Sequence, residues 1–468
     1  MSLMSTEILF MNHSSLLIKY YNKESESRYL LLDPWHTRPA FGSWLPNFHQ
    51  YVSPTYIAAL GSKLTILISH AHDDHCDDEL LSLFDKETRI VTAKFQSGSV
   101  KRRIEALGFT NVLECAEEGL QIETLQINSF INREVSLDDA LYSISLTDSL
   151  IIHANDNWFQ LSEHVKCHLK DKIAQIGKSK TFYFTQTNSA SGFPLTYPQF
   201  SQNADRVLLS KVTKMIRSGL INAADLGLDR IFSYAGFANI NIKDFAYKSL
   251  FTTSKFVNEV ALPFIEKLPD SPQGLTKKIK VEDLYPGDVI TVQPLAIRKA
   301  FVSSEDYSDE SILEKSQRYF EKYRLLESCD TSKYTDGLVD ELHLEYFLKG
   351  LQEFASQLMV REPMFQSLAG KSFEINCVTS GHGLRIGFSG NFNPAQLPNK
   401  RLEVSDALMC AVLRGDILFE NLYTGYEGTW YRYPKEVYNR DIILTLVMYS
   451  YKYKNVLSKN YYGVKKTD

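Results

Sequence analysis

This chain of 468 residues has few cysteines, no long apolar run and no excess of charge of either sign. The six cysteines (Cys76, Cys115, Cys167, Cys329, Cys377 and Cys410) are scattered, and none forms a Cys-x-x-Cys pair. That spacing excludes a dithiol redox motif and predicts free thiols in a reducing, cytoplasmic setting. No stretch approaches the roughly 18–20 apolar residues that a membrane helix needs. The start, Met1 to Leu9, lacks the basic segment, apolar run and small-residue cleavage site of a secretory signal. With 51 basic against 56 acidic residues and a net charge of −5, neither nucleic acid nor an anionic membrane is expected as a partner. The local basic runs, Lys277-Lys278-Ile279-Lys280 and Lys465-Lys466, read as solvated surface. What remains is ordinary for a soluble globular protein, 44% hydrophobic and 23% charged. The length suits one large α/β unit and a smaller one.

Short apolar segments punctuated by turns dominate the first half. Glu7–Tyr21 and Tyr29–Asp33 are expected as paired strands joined by the polar stretch 22–28. Leu64–Ser69 is an apolar run that stops at His70, and Asp77-Asp78 suits a helix N-cap before Leu80 and Leu81. Further strands are expected at Arg89–Ala93, Gly119–Ile131, Leu141–Leu146, Ser149–His153, Lys180–Phe184 and Asp229–Tyr234, with a helix at Ala204–Ser218. Such alternation predicts a layered α/β fold. Near residue 260 the composition turns Pro- and Gly-rich, and Tyr285-Pro286-Gly287-Asp288 is a strong turn. Helical spacing follows at 305–328 and 338–360, where Leu338, Leu342, Phe347, Leu351, Phe354 and Leu358 form a core-facing stripe. Strands at Phe373–Thr379 and Gly383–Phe388 and a helix at Ser405–Arg414 complete a small α+β unit. The expected division is 1–295, a connector at 296–365, and 366–468.

One segment carries metal chemistry. Ser69-His70-Ala71-His72-Asp73-Asp74-His75 fits H-x-H-x-D-H just past a strand end. Alternate residues there project the same way, so His70 and His72 can share one metal while Asp74 and His75 serve an adjacent position. Neutral imidazole and carboxylate suit zinc, iron or manganese. A chance histidine-rich surface loop is the alternative, and four matching positions at a strand end weigh against it. A second apolar strand ends in His153-Ala154-Asn155-Asp156. His164 and His168, four apart, read as exposed helix histidines, and His343 and His382 are lone.

These residues resemble the metallo-β-lactamase superfamily, in particular the catalytic part of the CMP-N-acetylneuraminate hydroxylase family. Leu32-Asp33-Pro34-Trp35, Pro39-Ala40-Phe41 and Trp44 are similar to that family's DPW…PAF…W loop. The segment from Ser189 to Tyr197, through Ala190-Ser191-Gly192-Phe193-Pro194, is similar to its ASGFP stretch. Ala235-Gly236-Phe237 matches its Ala-Gly-aromatic turn, and Leu422-Tyr423-Thr424-Gly425-Tyr426 with Arg432 and Pro434 resembles its C-terminal block. The likeness covers about 8–295 and, more weakly, 400–455.

The resemblance implies an αββα sandwich and a metal set of His70, His72, Asp74, His75 and Asp156, with Asp74 and Asp156 also catalytic. It places Ser191, Gly192, Phe193, Tyr234 and Gly236 on the substrate side and makes His153 an outer partner. Two histidines of a two-zinc hydrolase of this fold are missing. Residues 76–152 contain none, and Tyr234 stands where a late one is expected. Glu134, Asp138 or Asp139 can supply a carboxylate in the first gap, and two histidines plus a carboxylate with open positions suit non-haem iron. The hydroxylase family's Rieske domain needs paired Cys-x-His ligands, which this sequence lacks. The expectation is therefore an iron-dependent, oxygenase-like oxidoreductase acting on a small polar metabolite, with an external electron donor. A metallohydrolase of a phosphodiester, lactone or amide, using one or two zinc ions, is the alternative. A metal-binding scaffold without enzymatic activity is the third reading.

Overall fold

The computed structural model describes residues 5–36, 39–46, 52–132, 137–156, 160–187, 191–236, 238–240, 256–268, 274–282, 284–300 and 337–464, without the side chains of 455–464. The chain divides into two compact units. One comprises Met1–Ala40, Trp44–Ser189 and Leu209–Lys322, the other Phe41–Ser43, Ala190–Leu208 and Tyr323–Asp468.

The first unit opens with β1 (Glu7–Asn12), β2 (Ser15–Tyr21), β3 (Ser27–Leu32) and β4 (Trp44–Leu45). It continues with β5 (Leu64–Ile68), β6 (Arg89–Ala93), β7 (Val112–Cys115), β8 (Leu120–Ile122) and β9 (Leu125–Ile131). β10 (Ala140–Ser145), β11 (Leu150–His153), β12 (Thr181–Gln186), β13 (Arg230–Tyr234) and β14 (Asn239–Ile240) follow. β15 (Lys280–Glu282), β16 (Val289–Thr291) and β17 (Ala296–Arg298) close it. Two large mixed sheets result, in the orders β17-β16-β1-β2-β3-β5-β6-β7 and β15-β13-β12-β11-β10-β9-β8. Residues of both sheets belong to one apolar core, with Ile66, Leu67, Ile90 and Val91 from the first and Ile127, Ile144, Phe184 and Phe232 from the second. Helices Ser99–Ala106 and Glu163–Ile176 lay buried stripes, Val100 with Ile104 and Leu169 with Ile173, alongside β7 and β11. The expected α/β sandwich is the architecture found.

β5 explains how the histidine loop is carried. All five of its residues are buried, and it runs parallel to β3 and β6. A parallel strand covered on both faces reads as a continuous apolar run, and Leu-Thr-Ile-Leu-Ile does. The expected helix cap is present: the Asp77 carboxylate accepts from the N–H groups of Glu79 and Leu80 at 3.1 Å.

Two expected strands are each two strands. Glu7–Tyr21 breaks into a hairpin at His13-Ser14, where His13 takes a φ of 48°. Gly119–Ile131 breaks at Glu123, with a φ of 52°. Both turns contain no glycine or proline; the polar residues Asn12-His13-Ser14-Ser15 and Glu123-Thr124 are the only local marks of the breaks.

In the second unit, β18 (Ser372–Cys377), β19 (Gly383–Gly387), β20 (Lys400–Val404) and β21 (Thr429–Arg432) form a sheet in the order β19-β18-β20-β21. Helix Glu341–Arg361 buries Leu344, Phe347, Leu348, Leu351, Ala355 and Leu358. Leu338 and Leu342 are exposed at the start of the expected stripe, because Asp340 caps the helix and the first turn faces water. Of the span 296–365, Ala296–Arg298 is an edge strand of the first unit and the helix belongs to the second. The expected helix at 305–328 lies outside the described residues. Cys76, Cys115, Cys167, Cys377 and Cys410 are free thiols, as expected. Among the described residues, no helix is long and apolar enough to cross a membrane.

Candidate metal centre

The loop after β5 is held from below before its histidines do anything. Asp33, just past β3 and fully buried, accepts from the Ser69 N–H and the Ser69 hydroxyl, both at 2.7 Å. The same carboxylate takes His75 Nδ1 at 3.0 Å and His153 Nε2 at 2.8 Å. Burial opposes ionisation of Asp33, but the His153 and His75 imidazoles outweigh it and hold the acid well below the usual carboxylate range. Arg103, on helix Ser99–Ala106, grips the loop from the other side. Its guanidinium donates to the Ala71 carbonyl, to Asp73 at 2.8 Å, to the Cys76 carbonyl at 2.9 Å and to Asp78 at 2.8 Å.

Held this way, the expected ligands converge. His70 Nε2 is 2.7 Å from His72 Nδ1 and 3.8 Å from an Asp156 oxygen. His75 Nε2 is 3.6 Å from Asp74 Oδ2. Donor atoms close enough to share an ion fall into three overlapping groups: His70, His72 and Asp74; His70, His75 and Asp156; and His13, Asp74 and His75. The first two contain only residues of the expected metal set, and the third adds His13. Asp74 Oδ1 and Asp156 Oδ1 are buried without a hydrogen-bond partner. Buried acceptors of this kind are costly unless a donor or a cation meets them, so the residues fit a metal.

The charges agree. Burial disfavours the Asp74 anion, yet the neighbouring His75 and His13 hold it down at about 2. Burial likewise opposes protonation of His75, while Asp74 and Asp33 push it up to about 10. His70 is driven well below its usual range, by burial first and then by the other imidazoles, as a neutral ligand should be. Asp156 is raised by burial, with Asp74 adding to the effect.

The carboxylates expected to fill the first histidine gap are disposed differently. Asp139 lies 3.6 Å from His70 Nδ1, the side away from His72, and accepts from the Asn155 amide at 3.0 Å. Asp138 accepts from the Ser97 hydroxyl at 2.5 Å. Neither joins a group able to share an ion among the described residues, and Glu134 lies outside them. Asn155, with a φ of 51°, also reaches the Ser69 oxygen at 2.6 Å and so packs the back of His70.

The residues expected on the substrate side fall in both units. Tyr234 is fully buried, and its hydroxyl pairs with His153 Nδ1 at 2.8 Å, forming a chain Tyr234–His153–Asp33–His75. The Gly236 carbonyl accepts from His13 Nδ1 at 2.8 Å. Ser191, Gly192 and Phe193 belong to the second unit. There the Gly192 N–H donates to the Tyr423 carbonyl at 3.3 Å, and a Cβ at Gly192 would come within 2.8 Å of that oxygen. The Arg432 guanidinium lies over the rings of Phe193 and Phe200, at 4.4 and 4.6 Å. Phe237 is outside the described residues.

Sequence reading missed His13, Asp33 as a hub, Asn155 and Arg103. Only Asp33 carried a signal, as part of the Asp-Pro-Trp stretch.

Two facing mixed sheets, with an H-x-H-x-D-H loop at the end of a parallel strand and an aspartate at the end of a strand in the other sheet, are the arrangement that the metallo-β-lactamase resemblance implies. No family model matches the chain. A Mycolicibacterium smegmatis protein described as a Rieske 2Fe-2S iron–sulfur protein is 30% identical over 112 residues, which are 24% of this chain and 20% of that protein. Among solved structures, Igni18, a metallo hydrolase from Ignicoccus hospitalis, is 14% identical with a TM-score of 0.39, over 61% of this chain and 98% of that one. CmlA, a diiron β-hydroxylase from Streptomyces venezuelae, is 17% identical with a TM-score of 0.32, over 50% and 45%. The metallo-β-lactamase fold protein YhfI from Bacillus subtilis is 11% identical with a TM-score of 0.29, over 49% and 86%.

Proposed function

We propose that the chain is a metal-dependent enzyme, and specifically an iron-dependent oxidoreductase of the oxygenase type acting on a small polar metabolite. The supporting observation is the group His70, His72 and Asp74, two imidazoles and one carboxylate with no thiolate, which is the ligand type of non-haem iron sites that keep positions free. Iron held there would supply redox chemistry with oxygen. The protein's own part is orientation: Asp33 fixes the His75 ring, Asn155 backs His70, and Tyr234 is turned to His153. These 468 residues contain no Cys-x-His pair, so we infer that electrons reach the site from outside them. We place the reaction in the cytoplasm.

A second reading, a two-zinc hydrolase of a phosphodiester, lactone or amide, is favoured by the sharing of Asp74 between two ligand groups. Two adjacent metals can clamp a scissile group and lower the pKa of bound water toward about 7. Anaerobic purification with elemental analysis separates the two. Iron, a nitric oxide adduct of the reduced protein visible by electron paramagnetic resonance, and oxygen consumption with an added reductant are expected. Two tightly bound zincs with oxygen-independent hydrolysis would overturn the oxidoreductase reading.

A further inference from the structure

His13 is set in place more firmly than a turn residue requires. It is 1% exposed and occupies the left-handed region, at φ 48°, in the hairpin between β1 and β2. Non-glycine residues seldom adopt that conformation, which persists where the surroundings impose it. Here its carbonyl accepts from the Ala235 N–H at 2.9 Å, and its Nδ1 pairs with the Gly236 carbonyl at 2.8 Å. Edge-on contacts with Trp35, Trp44 and His75, at centroid separations of 5.2, 6.3 and 5.4 Å, leave the ring little room to turn.

The tautomer follows. A carbonyl only accepts, so Nδ1 carries the proton, and in the neutral ring Nε2 is a bare lone pair. That lone pair faces Asp74 Oδ2 at 3.1 Å, and the other Asp74 oxygen is buried without a hydrogen-bond partner. Two acceptors directed at each other need a proton or a metal ion between them, and the unpaired Asp74 Oδ1 together with His75 Nε2 3.6 Å from Oδ2 makes this a place for a metal ion. Two atoms bound to one metal at about 2.0–2.2 Å, with about 95–120° between the bonds, stand about 3.0–3.8 Å apart. The His13–Asp74 separation of 3.1 Å and the Asp74–His75 separation of 3.6 Å both fall in that range. A ring nitrogen donating to a backbone carbonyl while the other faces the ion is also the usual arrangement of a ligating histidine.

The geometry points to His13 as a metal ligand that completes, with Asp74 and His75, a second metal position beside the one formed by His70 and His72. This inference rests on reading the cluster as a metal centre. It makes that centre dinuclear with a histidine from the first hairpin, although β13 supplies only Tyr234.

Cobalt(II) titration of the metal-free full chain tests it, with uptake read by elemental analysis and by the visible ligand-field bands. Wild type is expected to take two equivalents. His13→Asn, chosen because asparagine tolerates the left-handed turn, should take one. Its second equivalent should weaken by more than the about 10- to 100-fold that loss of an outer partner costs. Circular dichroism of the metal-free variant checks its fold. Should the variant not fold, anomalous diffraction from cobalt-loaded wild-type crystals answers the same question, with a peak expected on His13 Nε2. Cobalt at His70 and His72 with none at His13, or two equivalents retained by His13→Asn, overturns this inference and leaves the metal centre standing. No cobalt uptake by wild type overturns both.

Discussion

Replacing Asp33 by asparagine is the sharpest probe of how this site is held. Its Oδ2 takes the Ser69 hydroxyl, His75 Nδ1 and His153 Nε2, while Oδ1 takes the Ser69 amide. Asparagine keeps one acceptor oxygen, which can retain the Ser69 amide. Its NH2 group then confronts two imidazole N–H groups that require acceptors. At about 1.5–3 kcal/mol for each hydrogen bond to a charged group, two lost bonds cost about 3–6 kcal/mol. The His75 ring is released as well, and loss of an outer partner of a ligating histidine costs about 10- to 100-fold in metal affinity. Denaturant unfolding of the metal-free protein measures the first quantity, and chelator competition with zinc or cobalt measures the second. An Asp33→Asn variant with unchanged stability and unchanged affinity would show that Asp33 is not the hub described here.

Two further substitutions test the frame around the site. Arg103→Lys retains charge but not the planar fork that reaches Ala71, Asp73, Cys76 and Asp78. Metal affinity should fall by about 10- to 100-fold with circular dichroism unchanged, and unaltered affinity in chelator competition would refute the clamp. In the second unit, burial alone pushes Glu427 up to about 8 from its ordinary 4.5, and its Oε2 has no hydrogen-bond partner. Below pH 4.5 the group is protonated folded or unfolded. Above it the unfolded chain ionises first, so stability falls as pH rises, by about 1.4 kcal/mol per unit up to about pH 8. Glu427→Gln should therefore stabilise the protein increasingly across that window, and a gain independent of pH in denaturant titrations would refute it.

How far the site can be read from the sequence depends on how local its geometry is. His70, His72, Asp74 and His75 lie within six residues of one another, past an apolar run whose burial stops the strand there. Period-2 projection, the Asp77 cap and the ligand chemistry of imidazole and carboxylate are local properties, so strand, loop and candidate ligands follow from the residues alone. Asp156, at the end of another apolar strand, is pointed to by the resemblance and not by such local properties. Sheet pairing decided the rest. β3 lies beside β5 and brings Asp33 under residues 36 to 120 positions away in sequence. A hairpin inside what reads as one continuous strand turns His13 onto Asp74, and the end of β13, more than 220 residues distant, fixes its tautomer. Arg103 reaches the histidine loop across a helix and a strand. Contacts of this kind depend on register and on which strands are neighbours. Both are set by the burial of whole sheet faces, which leaves no mark at any single position of the sequence.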